Sequence, residues 1–145
     1  MTLHLRKLCV GVDKLDELQR WQAHRLTQQE GRIWHATRNW PRRQQEILEG
    51  EGSLYWIIRG QMAARQRILG FEPAPRKDPE DPDEKPFCRI LLDPALVPTE
   101  PWPHRPFQGW RYLKPGEAPP DLDASAKAAG LPPELTAELK ALGLW

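Results

Sequence analysis

Proline is the residue that most restricts this chain. Fifteen of the sixteen prolines lie after residue 72, and eight fall within Asp93–Pro120. Proline has no amide to donate and a fixed φ, so it breaks helices and is excluded from paired central strands. The regular core must therefore be built mainly from residues 2–72. The spacing predicts an irregular Asp93–Pro120 stretch pinned by Leu96, Val97, Trp102, Phe107, Trp110, Tyr112 and Leu113. Residues 73–86, PAPRKDPEDPDEKP, hold no apolar side chain beyond Ala74 and read as an exposed loop.

The first half is periodic. Leu3–Val10 reads as a strand ended by Gly11, and Asp13 caps a helix over Lys14–Gln29 with a stripe at Leu15, Leu18, Trp21 or Gln22, Arg25 and Leu26. Ile33–Thr37 is a second strand. Asn39 or Trp40 then caps a short helix with Pro41 in its first turn, closed by Gly50. Ser53–Arg59 is the densest strand signal, Gln61–Phe71 its hairpin partner, and Phe87–Leu92 and Gln108–Leu113 add further strands. Ala124–Ala129 and Pro132–Leu142 read as helices. The expected fold is α+β: a small mixed β-sheet or partly open β-barrel flanked by short helices, with two C-terminal helices. One domain is expected over residues 1–122, with a helical extension over 123–145.

Net charge is only +1, but seven arginines against three glutamates give Arg32–Arg67 a net of +4, while residues 76–85 and 116–145 are acidic. Such a chain can present a local anion site but is a poor general coat for DNA. No apolar run is long enough to span a membrane, and no secretory signal opens the chain, so a cytoplasmic location is expected. Cys9 and Cys88 lack metal or redox spacing and read as reduced, buried thiols. Ser53 and Ser125 stand in no nucleophile elbow, and His4, His24, His35 and His104 are scattered singly. No cofactor or metal is expected.

What remains is arginine interleaved with tryptophan. Arg38, Trp40, Arg42 and Arg43 converge on a strand-to-helix corner, where backbone amides favour an anion. Period two on Gln61–Leu69 places Arg65 and Arg67 on one face and Gln66 on the other. His104, Trp110 and Arg111 lie in a third aromatic segment, where Gly109 permits close backbone approach. Guanidinium groups supply donors for phosphate and base edges, and indole rings supply stacking faces. The leading expectation is a small binding module for RNA, a nucleotide or a modified base. In it Trp40 or Trp110 stacks the base, Arg38, Arg42 and Arg43 hold phosphate, and Arg65 with Gln66 reads an edge. A protein–protein adaptor is the alternative, because tryptophan and arginine also dominate interface hot spots. An enzyme using Asp93 or Glu100 as base and His104 as acid is a third reading, without a visible acid–base pair.

The runs Thr37–Pro41, Gly52–Gly60, Ala64–Leu69 and Arg105–Leu113 resemble a bacterial family of uncharacterised domains of unknown function. The resemblance covers most of residues 2–122, implies a cytosolic protein and brings no activity. In layout the chain is also similar to the PUA-like superfamily, including its ASCH and EVE branches, which are small barrels that bind RNA or modified bases. That likeness rests on Gly60–Arg67 and would place Arg65 and Arg67 on the ligand side; the acidic loop at 76–85 departs from it.

Overall fold

The computed structural model describes residues 2–9, 11–28, 31–105 and 107–122. The two C-terminal helices expected after residue 123 lie outside the described residues. Strands dominate: β1 (His4–Leu8), β2 (Ile33–Thr37), β3 (Ser53–Ile58), β4 (Gln61–Pro73), β5 (Cys88–Leu92), β6 (Val97–Pro103) and β7 (Trp110–Leu113). Two helices accompany them, α1 (Leu15–Gln28) and the six-residue α2 (Gln44–Glu49).

The expected α+β fold, a small mixed β-sheet or partly open β-barrel flanked by short helices, is corrected to a mostly β structure with a single open, mixed sheet of seven strands. Its order is β2-β5-β4-β3-β1-β7, with β6 paired to β4. Among the described residues only β1 and β3 run parallel; the other pairs are antiparallel. The reason lies in β4, whose thirteen residues are too many for one partner. Its first half pairs with both β3 and β6, and its second half pairs with β5. Bulges at Met62/Ala64 and Ile68/Gly70 let it bend between the two halves.

The prolines did not keep residues 93–120 irregular. Val97–Pro103 runs antiparallel along β4 although Pro98, Pro101 and Pro103 lack amides. An edge strand tolerates this, because only one of its two sides must supply hydrogen bonds. The β3–β4 hairpin closes through Arg59 (φ 51) and Gly60 (φ 76), two consecutive positive φ values that suit a two-residue turn. Helix α2 begins later than expected. Its cap is Arg43, with no side-chain cap bond, and Pro41 sits in the turn before it. The Trp110 and Trp40 indoles bond to Asn39 O and Pro86 O, which holds that corner as a turn.

Both faces of β3 are covered, so all six of its residues are buried. Leu54, Trp56 and Ile58 join Leu5, Leu18, Ile33, Ile47, Ile68, Ile90 and Leu92 on the α1 side. Tyr55 and Ile57 join Met62 and Leu113 on the other, beneath Trp102 and Phe107. Gly52 leads into β3 where the backbones are closest. A Cβ there would run into the Leu3 carbonyl oxygen and touch the Ile47 side chain. Gly52→Ala is expected to destabilise the fold by about 3 kcal/mol, the upper end for overpacking, because the obstacle is main chain and cannot rotate away. A urea titration checks this as a lower midpoint at unchanged slope.

The loop after β4 is mostly exposed, and its acids serve its own turns. Glu84 accepts the amides of Lys77 and Asp78, Asp78 accepts that of Glu80, and Asp81 accepts that of Asp83.

Candidate functional site

A cavity of about 290 Å³ opens between α1, β1, β2 and β3, lined by Lys7, Leu8, Cys9, Trp21, Arg25, Trp34, His35, Ala36 and Trp56. The elements place these groups for local reasons. Trp21 and Arg25 lie four residues apart on α1 and so share a face. Lys7 and Trp56 are direct partners across β1 and β3, so both project to the α1 side.

His35 forms the floor of the cavity. Its ring is 5.1 Å from that of Trp21 and 4.6 Å from that of Trp56, the latter edge to face. The residue is 7% exposed, and its Nε2 is buried with no hydrogen-bond partner. Burial, then Arg25 and Lys7, push its pKa down to about 3, so the imidazole is neutral at pH 7. A neutral imidazole nitrogen either donates or accepts depending on the tautomer.

The Arg25 guanidinium lies 3.8 Å from the Trp21 ring centre and 6.0 Å from that of Trp34. It also donates to the Trp34 carbonyl at 3.1 Å, on the strand that ends the sheet. Arg89 sits 4.0 Å from the Trp34 ring. Burial lowers the pKa of both Arg25 and Lys7 from its ordinary value. These two are the formally charged groups of the lining, and no carboxylate stands among them. Burial raises the Cys9 thiol to about 11, opposed by Lys7, so it is protonated at pH 7 and is no nucleophile. The cavity therefore offers stacking faces, positive charge and one unsatisfied ring nitrogen.

The residues singled out from sequence are only partly gathered. Gln66 is wholly buried. Its amide donates to Gln22 Oε1 (2.8 Å) and Asp93 O (3.1 Å), and its oxygen accepts from Gln22 (2.7 Å) and the Trp56 indole (2.9 Å). Every polar atom of Gln66 is engaged inside the protein, which makes it a structural connector beneath the cavity. Arg65 forms a paired contact to Asp121 at 2.6 and 2.7 Å and reaches Ser53 at 3.1 Å. Arg67 pairs with Glu51 at 3.2 Å in the open.

The register Arg111–Arg6–Tyr55–Arg65 runs across β7, β1, β3 and β4, whereas Trp110–Lys7–Trp56 projects from the opposite face. Arg65 and Arg111 thus share no surface with Trp110. Arg111 stacks on Phe107 at 4.7 Å. His104, beside the same ring, bonds through Nδ1 to Arg105 O.

At the β2–α2 corner, Arg43 is taken up by Glu46 at 2.6 Å, and Trp40 is half-buried with its indole on Pro86 O. Arg38 and Arg42 are exposed, and neither forms an ion pair among the described residues. Arg38 lies 5.9 Å from the Phe87 ring. Trp110 reaches this corner by donating to Asn39 O at 2.7 Å.

Lys7, Trp21, Arg25, Trp34, His35 and Trp56 were not singled out as a site from sequence. The available signal was Trp21 and Arg25 at helical spacing, facing a strand that carries Trp34-His35. Among the described residues no group of three histidine, cysteine or acidic side chains could hold a metal. No described helix is long and apolar enough to cross a membrane. Asp93 caps the Ala95 amide, and Glu100 donates its own amide to Pro120 O.

Residues 5–145 match the model of a family described as a protein of unknown function, DUF1489. The match runs through the C-terminal stretch that the sequence reading had set apart at residue 123. No curated protein and no solved structure matches the chain, so the PUA-like likeness finds no supporting neighbour.

Proposed function

From the premise that this chain belongs to DUF1489, a family whose description carries no activity, we propose that it is a binding module for a planar, anionic ligand of the nucleotide class. The cavity of Trp21, Trp34, His35, Trp56, Arg25 and Lys7 receives it. The observation that carries this reading is the lining itself, in which aromatic faces stand beside two cations, Lys7 and Arg25, with no carboxylate. The Trp21 and Trp34 indoles and the Arg25 guanidinium plane provide stacking surfaces for a base. The charge of the lining is positive throughout, which favours a phosphate over a neutral sugar. The volume sits at the lower end of the range for ligand cavities, about 300–1,000 Å³, and suits a single base with its phosphate. Two buried, unpaired cysteines fit a reducing, cytoplasmic setting.

A protein adaptor finds less support. Among the described residues the large apolar groups most exposed are Trp21, Leu48, Leu69 and Phe87, spread over α1, α2, β4 and the approach to β5.

Titration with the four ribonucleoside monophosphates at low salt, followed by tryptophan fluorescence, tests the proposal. At least one is expected to quench saturably. Trp21→Ala is expected to weaken that binding by about tenfold or more, as the loss of one stacking ring implies. Trp21 is 39% exposed, so its removal leaves the core intact. Absence of saturable quenching with all four overturns the proposal.

A further inference from the structure

Towards β7 the lining of the cavity ends at Lys7. Lys7 stands between two indoles: it is the direct cross-strand partner of Trp56 on β3 and of Trp110 on β7, and all three project from one face. Neighbouring strands are about 4.8 Å apart, so Trp56 and Trp110 are separated by about 10 Å with a cation midway. Lys7 forms no ion pair among the described residues. Beyond Trp110 the surface continues to the β2–α2 corner, because the indole is bonded to Asn39 O. That brings up Arg38 and Arg42, both exposed and without an acidic partner among the described residues. Trp56 is buried in the core, so the groups that follow one another from the cavity rim are Lys7, Trp110 and a basic end.

Resting on the cavity reading above, we infer that the ligand is a single-stranded oligonucleotide and that the cavity holds only one nucleotide of it. Stacked bases are spaced about 3.4 Å and neighbouring strands about 4.8 Å, so the step from Lys7 to Trp110 takes one to two nucleotides. A lone mononucleotide would leave Trp110, Arg38 and Arg42 unused. In the bound strand Lys7 meets the phosphate next to the cavity, Trp110 stacks a following base, and the corner arginines meet the backbone beyond. The sugar is unread along this track, so RNA and DNA are distinguished by experiment.

The test compares hexaadenylate, as ribo- and deoxyribo-oligomer with a fluorescent end label, against AMP as competitor. Wild type, Trp21→Ala, Trp110→Leu and the double variant Arg38→Ala/Arg42→Ala are measured, each first shown to be folded by circular dichroism. The hexamers are expected to bind at least tenfold more tightly than AMP. Trp110→Leu, which keeps apolar bulk, is expected to abolish that advantage while AMP affinity is unchanged. The arginine double variant is expected to flatten the salt dependence of hexamer binding by one to two units of slope, with AMP again unaffected. Unequal affinity for the two hexamers identifies the preferred sugar within the same inference.

If AMP binds through Trp21 but the hexamers bind no more tightly, the track is overturned and the cavity reading stands. Equal losses for AMP and hexamer in Trp110→Leu overturn it too, since Trp110 then acts only by supporting the cavity. If neither AMP nor hexamer binds, both readings fall together.

Discussion

Gln66→Ala is expected to be among the most destabilising single changes in this protein. The side chain is fully buried and joins α1, β3 and the β5–β6 connection through Gln22, the Trp56 indole and the Asp93 carbonyl. Alanine leaves a cavity and strands those partners in a low-dielectric interior. Together these effects cost about 4 kcal/mol, a melting temperature lower by about 12–16 °C in a chain of this size. The neighbouring Arg67→Ala is the control. Arg67 is exposed and pairs only with exposed Glu51, an arrangement worth at most about 1 kcal/mol. Calorimetry on both variants should show one large shift and one near zero. Two comparable shifts would mean that the glutamine network does not tie the helix to the sheet.

Acid should destabilise the fold well before its carboxylates protonate. Burial, with Arg25 and Lys7 adding to it, holds His35 at about 3; burial, then Arg65, holds His4 at about 4. In the unfolded chain both take up a proton near pH 6.5. Below that pH the unfolded state therefore binds more protons than the folded one, and stability falls as pH falls. Stability from both groups is fully present above pH 6.5 and declines until about pH 3. For His35 alone the loss between pH 7 and pH 4.5 is about 2–3 kcal/mol. His35→Phe, which keeps a ring between Trp21 and Trp56, is expected to remove that share of the slope. A variant with the same acid sensitivity as wild type would show that His35 is not the group being charged.

Much of the fold was legible because period and punctuation agree over the first seventy residues. The aromatic and β-branched run Ser53–Arg59, the helical stripe at Leu15, Leu18 and Trp21 or Gln22, and the glycines on either side of β3 place these elements. Where proline dominates, local rules misled. Val97–Pro103 reads as coil by composition yet is a strand, because β4 offers it an edge and one hydrogen-bonding side is enough. The openness of the sheet was likewise invisible. It depends on how β4 divides its two halves among β3, β5 and β6, a matter of long-range pairing.

The candidate site shows the same division. Period two correctly set Arg65 and Gln66 on opposite faces, but it could not say that one would be bound to Asp121 and the other buried under Trp56. The Arg38 corner and Trp110, seventy-one positions apart in the Asn39–Trp110 hydrogen bond, were each marked and do meet. The cavity beside them went unseen, since its parts come from four elements. His35 looked incidental because one histidine on a strand carries no pattern. Its meaning arises only when Trp21 and Trp56 close over it and remove water from its nitrogen.

By itself, then, the order of residues determined most strands and helices of the first half, the exposed acidic loop, and the interleaving of arginine with tryptophan along the chain. These follow from interactions among near neighbours, which a linear pattern records. Only the tertiary structure decided which arginines are consumed by internal partners, which face carries the indoles, and where a polar atom is left unsatisfied. Those outcomes depend on burial and on contacts between distant segments, which exist only after the chain has folded.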